Sequence, residues 1–231
     1  MFETGRMERV VMFRWINYNR SGKGIDPNAP KKKPFFRFFE LYFRKFFSLM
    51  QLNLIFLVCC IPILTIGPAT AGMTGILQNF SEEKPVFLWA DFKKAMKRNF
   101  KQGFLVWLIN LFLWILLGID GLLLYTRPSV FSMIVLGLLG IIAIVFAMMQ
   151  LYLYPLMVSY QYTVLDLYKN AFLLALGHIY GNLLILAAVF LISWAVYALP
   201  MLSLFLLAFL YFSTIAFLSV FYAQSVLKKS F

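Results

Sequence analysis

The sequence predicts an all-α, polytopic membrane protein with six membrane segments, the first two paired as a hairpin broken by glycine and proline. Three observations carry that prediction. Of 231 residues, 62% are hydrophobic and 19% aromatic. A soluble domain holds roughly 45–50% apolar residues, so this chain has too little polar surface to cover a globule in water. The apolar residues come in runs long enough to cross a bilayer. The cations stand between those runs, eleven of 21 before residue 46 and six more from Lys84 to Lys101. The length suits one helical membrane domain, 34–231, behind an N-terminal arm.

That arm, 1–33, reads as basic and flexible. Its "NRSGKGIDPNAPKKKP" is rich in Gly, Pro, Asn and Lys and offers nothing to bury. The "SGKG" within it is not a phosphate-binding loop, which needs glycine where Asn17 stands. No cleavable leader is expected, because the first apolar run begins near Phe46 behind a long basic stretch. Pro34 then suits a helix start. In "PFFRFFELYFRKFF" a helix puts Arg37, Glu40 and Arg44 on one face and phenylalanines on the rest. Such a helix either lies among lipid headgroups or prolongs the first span; the composition fits both.

The apolar runs are 46–65, 68–80, 103–125, 130–154, 171–192 and a last one from 195 or 199 to 226. The second is the short one. As a helix it extends roughly 20 Å, whereas a span needs about 20 residues. Charge decides its treatment. If it does not cross, five spans remain and the Lys84 to Lys101 block falls outside. If it returns across the membrane, both termini and 20 of 21 cations are cytoplasmic, with Arg127 alone external, as the positive-inside tendency favours.

The stretch "NLIFLVCCIPILTIGPATAG", 53–72, is therefore read as a hairpin. It enters through 53–63, turns at Thr65 to Gly67 and returns from Pro68, with Pro62, Ala69, Thr70 and Ala71 completing the hairpin residues. Backbone groups freed in lipid are tolerated only under the cover of neighbouring helices or a water cavity. Residues 65–72 should thus be buried against other helices or sit near the outer surface. Small residues four apart (Ala71 and Gly75, Ala143 and Ala147, Gly177 and Gly181) permit close helix approach.

After the hairpin comes "PVFLWADFKKAMKRNFKQG". On a helix Asp91, Lys94, Lys97, Arg98 and Lys101 gather on one side, and Phe92, Ala95, Met96, Asn99 and Phe100 on the other. This is an amphipathic helix on the cytoplasmic surface. It docks a partner protein or anchors on anionic lipid. A second cytoplasmic segment, containing Asp166, Lys169 and Asn170, leads into the 171–192 run.

Polar residues inside or beside the runs read as helix–helix contacts. Asp120, near the outer end of its run, pairs with Arg127 or reaches the interface. His178 and Asn182 are one turn apart beside Gly177 and Gly181 and bond across a helix contact; His178 in a polar pocket would also titrate. Asn53, Asn110 and Gln150 each stand alone.

Several function classes drop out. The cations follow cytoplasmic flanks rather than a nucleic-acid-binding face. Cys59 and Cys60 are neighbours on a helix and point in different directions, so a structural bridge between them is not expected. One histidine and no C-x-x-C leave no metal cluster. There is no G-x-S-x-G or H-E-x-x-H. Neither a catalytic set nor a cofactor is expected.

The run 53–72, followed by "DFKKAMKRNFKQG", closely resembles the YesL family of bacterial membrane proteins. The shared residues are Asn53, Pro62, Ile63, Thr65, Ile66, Gly67, Pro68, Ala69, Thr70 and Ala71, then Asp91, Phe92, Asn99, Phe100 and Lys101. "DLYKNAFLLAL", from Asp166 to Leu176, is similar too. Ile61 and Met96 depart from the family's leucine and aromatic. The resemblance runs from about Pro34 to the end. It implies an accessory membrane subunit for oligosaccharide import in a Gram-positive bacterium, because members are often encoded beside carbohydrate ABC importers and polysaccharide-utilisation genes. Its implied partners are the importer's permeases, and the ATPase near the basic helix. The chain lacks an ATPase loop and the permeases' coupling motif, so it is not expected to be a main permease. A stand-alone small-solute carrier and a membrane sensor or assembly factor are the other readings.

Overall fold

The computed structural model describes residues 34–126, 129–160, 162–198 and 205–230; the expected N-terminal arm and Arg127 lie outside them. Of the unit Met1–Phe36 only the opening of the first helix is described, and the architecture below belongs to Arg37–Phe231. Among the described residues the regular structure is all helical. The helices are α1 (Pro34–Arg44), α2 (Phe46–Cys60), α3 (Ile66–Ser81), α4 (Leu88–Arg98), α5 (Phe100–Tyr125), α6 (Val130–Ser159), α7 (Val164–Gly177), α8 (Ile179–Ala198) and α9 (Phe212–Ser230). A π-helical turn, Leu207–Tyr211, leads into α9.

The α2–α3 hairpin is present, but its turn lies earlier than the sequence suggested. α2 stops at Cys60 because Pro62, extended at φ −76° and ψ 112°, can neither donate to the helix nor fit inside it. One 3-10 turn, Ile63–Thr65, reverses the chain. The Thr65 hydroxyl donates to the Cys59 carbonyl at 2.5 Å and the Pro62 carbonyl at 2.6 Å, covering acceptors that the broken helix frees. Pro68, expected to follow the turn, sits in the first turn of α3, where its missing N–H has no partner to lose.

α3 is the centre of the fold. Gly67, Pro68, Ala69, Ala71, Gly72, Met73, Thr74, Ile76, Leu77 and Phe80 are all buried, against α2, α4, α5, α6 and α9. α4 runs antiparallel along it. A Cβ added at Gly72 would lie 3.2 Å from Phe92 and Met96, and one at Gly75 would lie 3.0 Å from Ala95. Further along the same line Gly67 abuts the Gly103 carbonyl near the start of α5, with Trp107 Cβ 2.6 Å from where a Gly67 Cβ would sit. The hairpin tip therefore lies level with 103–107. From Trp107 α5 continues a further 18 residues to Tyr125, about 27 Å of helix beyond the tip.

Four helices are long and apolar enough to cross a membrane: Phe100–Tyr125, Val130–Ser159, Ile179–Ala198 and Leu207–Lys229. The pair α1 and α2, bent by 73° at Lys45, makes at most a fifth. At 16 residues, α3 is not among them. The four expose wide apolar faces, such as Leu105, Leu111, Phe112 and Ile115 on α5 and Ile134, Leu138, Ile141 and Ile142 on α6. Water does not tolerate apolar faces of that extent on a monomer, and lipid does. The chain is a multi-pass membrane protein.

Two expected runs are redrawn. The 171–192 run is not one helix but the end of α7 and the start of α8, broken at His178 (φ −129°, ψ 40°). The amphipathic helix ends at Arg98, and Asn99 (φ −104°, ψ 16°) separates it from α5. Phe100 and Lys101 thus begin α5, and Phe100 is 42% exposed rather than on the buried face.

Candidate functional site

Four cations, Arg37, Arg44, Lys84 and Lys228, converge with the two loop glutamates at one end of the bundle. Glu83 accepts from Arg44 at 2.5 Å and lies 3.6 Å from Arg37. Glu82 pairs with Lys84 at 2.6 Å and with Lys228 at 3.3 Å. Arg37 also donates to the Ser81 carbonyl at 3.1 Å. These pairs bring α1, the end of α3 and the end of α9 together. Each exposed pair contributes little alone, but they fix which ends of the chain are neighbours. The hydrogen bond from Lys84 holds the Glu82 carboxyl below its ordinary value, and Lys228 adds to the effect.

α4 is tied to the same end. Asp91 accepts from the Phe87 N–H at 2.8 Å and places its charge in the first turn of the helix, where the dipole favours an anion. Arg98 donates to the Val158 carbonyl at 2.6 Å, capping the last turn of α6 with a cation. Phe92 is buried, and the buried Asn99 amide returns to the Ala95 carbonyl at 2.9 Å. Lys94, Lys97 and Lys101 are exposed. A polar cleft of about 510 Å³ separates the ends of α3 and α4; Gln78, Asn79, Lys84, Asp91, Lys94 and Arg98 line it.

The polar residues that looked solitary turn out to be paired. Asn110 and Gln150 exchange amide hydrogen bonds at 2.9 and 3.3 Å between α5 and α6, and the Tyr168 hydroxyl of α7 donates to Asn110 Oδ1 at 2.7 Å. Gln78 donates to the Pro155 carbonyl and to Ser159 Oγ, both at 3.0 Å. Asn53, fully buried, donates to the Leu207 and Ala208 carbonyls at 3.0 and 2.6 Å and accepts the Ser213 N–H at 3.0 Å. Its amide thus fills the gap that the π-helical turn opens in the backbone ladder. Mutual bonding of this kind holds helices together in lipid, where an unpaired polar group is costly.

Of the expected helix–helix contacts, Asn182 makes one. It accepts from Tyr152 of α6 at 2.5 Å and donates to the Ala175 carbonyl at 2.9 Å, covering the end of α7 at the break. His178 does not join it, and its buried Nδ1 has no hydrogen-bond partner. Asp166 and Asn170 bond locally instead: Thr163 donates to Asp166 at 2.6 Å at the start of α7, and Asn170 to the Asp166 carbonyl at 2.9 Å. Lys169 is exposed. Asp120 is half-buried in a crevice of about 610 Å³ that is otherwise lined by apolar side chains of α5, α6 and α7. Gly118 and Gly121, which flank Asp120 on α5, have open space where a Cβ would sit, as do Gly137 and Gly140 on α6 and Gly177 at the end of α7. Among the described residues no group of three His, Cys, Asp or Glu is arranged to hold a metal.

This geometry coincides with a family signature. Residues 49–121 match the model of a family described as "Protein of unknown function, DUF624". The resemblance to the YesL family, which contains this domain, holds. The matched segment runs from α2 through the hairpin, α3 and α4 into α5, and so includes the Gly67–Gly103 contact. No curated protein matches the chain, and no solved structure does.

Sequence reasoning missed Gly103, Gln78, Tyr152 and Tyr168. Gly103 carried a weak signal, as a small residue at the start of an apolar run. The other three are ordinary residues of their helices, and only the fold reveals their partners.

Proposed function

We propose that the chain is a non-enzymatic accessory subunit of a carbohydrate ABC importer in the cytoplasmic membrane, with both termini cytoplasmic, and that it packs on the permeases through α5 and α6. One observation carries the reading. Small residues in membrane helices are where another backbone comes close. Gly67 and Gly103 meet backbone to backbone, and Gly72, Gly75 and Gly181 receive side chains of neighbouring helices, whereas Gly118 and Gly121 on α5, Gly137 and Gly140 on α6 and Gly177 at the end of α7 face open space. Asp120 lies between the first two of these open glycines, and an intramembrane carboxylate in an apolar crevice calls for a polar partner. The carbohydrate importer as partner rests on the family resemblance. A stand-alone carrier is disfavoured because Asn110, Gln150, Tyr168, Tyr152 and Asn182 spend their polar groups on one another.

The test is a pull-down of the tagged full chain from mild detergent. The expected result is permease recovered in near-equal amounts, and its loss in Gly118→Leu/Gly137→Leu with melting unchanged. A lone species that moves a sugar into liposomes refutes the reading. Altered transcription of sugar genes on deletion, with import per transporter unchanged, would make the chain a sensor.

We also propose that α2–α3 is a re-entrant hairpin beside four full crossings, in place of two crossings among six. Either arrangement keeps the cations of α1, α4 and α9 on the cytoplasmic side. The re-entrant form is supported by the contact of Gly67 with Gly103, well short of the far end of α5. The exposed apolar tip residues Ile61, Ile63 and Leu64 would then rest in lipid.

A further inference from the structure

A second crevice lies on the other side of α4 from the polar cleft. It measures about 390 Å³ and runs between the last turn of α2, at Cys59, and the start of α5, at Phe100. Trp89, Phe92 and Met96 of α4 form its wall, and Lys93 and Lys97 stand with them. We propose that it holds one anionic phospholipid, with an acyl chain along Trp89, Met96 and Phe100 and the phosphate between the ammonium groups of Lys93 and Lys97.

The chemistry of the lining selects that occupant. Lys93 and Lys97 are one turn apart on the same helix face and are both exposed. Two like charges at that spacing repel unless an anion lies between them. The polar cleft opposite carries Asp91 beside Lys94 and Arg98, whereas the lining of this crevice includes no carboxylate. Lysine stems lie along apolar surface and lift their charges to the headgroup level, so each of these residues presents both halves of a lipid site. The apolar wall also continues along the chain from Cys59 into Ile61, Ile63 and Leu64, all exposed. A soluble anion would use the lysines and leave the aromatic wall unused; an anionic phospholipid uses both. The inference does not depend on the importer reading.

Trp89 supplies the probe. A full-length variant with Trp15, Trp107, Trp114 and Trp194 changed to Phe is placed in phosphatidylcholine nanodiscs doped with brominated phosphatidylglycerol or brominated phosphatidylcholine. Brominated phosphatidylglycerol is expected to quench Trp89 at several-fold lower doping than the zwitterionic lipid. A lysine near an anionic headgroup is worth about a fivefold preference. Lys93→Gln/Lys97→Gln should therefore lose fivefold or more, and Lys94→Gln/Lys101→Gln, with the same charge removed outside the crevice, less than about twofold. Native mass spectrometry of the unsubstituted chain provides a second readout, with one phosphatidylglycerol retained and lost in Lys93→Gln/Lys97→Gln. Equal quenching by the two lipids, equal loss in the two double variants, or no retained lipid each overturns the proposal.

Discussion

Gly67→Ala is the sharpest perturbation of this fold. The new methyl would fall against the Gly103 carbonyl, 2.8 Å from Gly103 C and 2.6 Å from Trp107 Cβ. The obstructing atoms are mostly backbone, so no flexible side chain can swing aside. Overpacking of that kind costs about 1–3 kcal/mol, and rigid neighbours place this site near 3. Alanine regains about 1 kcal/mol of helix propensity over glycine, which leaves a net loss of about 2 kcal/mol. At about 2–4 °C per kcal/mol for a chain of this size, the melting temperature should fall by roughly 4–8 °C. The assay is fluorescence-detected size exclusion of the detergent-solubilised protein after heating. Gly103→Ala should cost less, because its nearest contacts are at 3.2 Å. Gly118→Ala, with nothing within 4 Å, should melt at or above wild type. A Gly67→Ala protein as stable as wild type, or a Gly118→Ala protein equally damaged, would refute the claim that this contact seats the hairpin.

Three further outcomes follow from the same structure. Asn53→Ala strands the buried Ser213 N–H and two π-turn carbonyls, at a cost of about 1–3 kcal/mol, so melting should fall by several degrees; an unchanged melt would mean that the turn rewinds without the amide. The Glu82 carboxyl is held below its ordinary value of 4.5 by Lys84 and Lys228, so its contribution is complete above that value and is lost as pH falls through it toward the lowered one. Glu82→Gln should therefore narrow the drop in melting temperature between about pH 6 and about pH 3.5, by a small amount that salt diminishes; an unchanged drop would mean that the pair contributes nothing. In intact cells whose native cysteines are changed to serine, an impermeant maleimide should label Ser129→Cys but neither Ile63→Cys nor Lys97→Cys. External labelling of Ile63→Cys would restore a full crossing, and labelling of Lys97→Cys would invert the whole arrangement.

How much could be read in advance depended on whether the signal was local. Thr65 to Ala71 announces a helix start after a break, and the structure places one there. Two prolines six residues apart both looked like breaks, yet Pro62 lies just past the end of α2 and Pro68 in the first turn of α3. Only the capping by Thr65 tells them apart. The amphipathic character of α4 was legible because Asp91, Lys94, Lys97 and Arg98 fall on one side at helical spacing and Phe92, Ala95 and Met96 on the other. In α7 and α8 no such contrast exists. The run is apolar on both sides of His178, and the break depends on Asn182 and Tyr152, which are 30 residues apart. Asn53 likewise reveals nothing until the π turn, more than 150 residues away, is beside it.

The hairpin shows why charge alone could not finish the reading. The positive-inside tendency constrains which side each loop lies on, and hence whether the number of crossings between two loops is even or odd. An α2–α3 pair that crosses twice and one that never crosses leave Arg37, Lys84 and Lys101 on the same side, so the cation distribution is blind to the difference. Length argues weakly against crossing, since the 16 residues of α3 give about 24 Å. What discriminates is depth, and depth is a property of contacts. Gly67 meets Gly103 three residues into α5, and α5 has most of its length still to run. That contact requires two glycines on different helices, and neither announces its partner in the sequence.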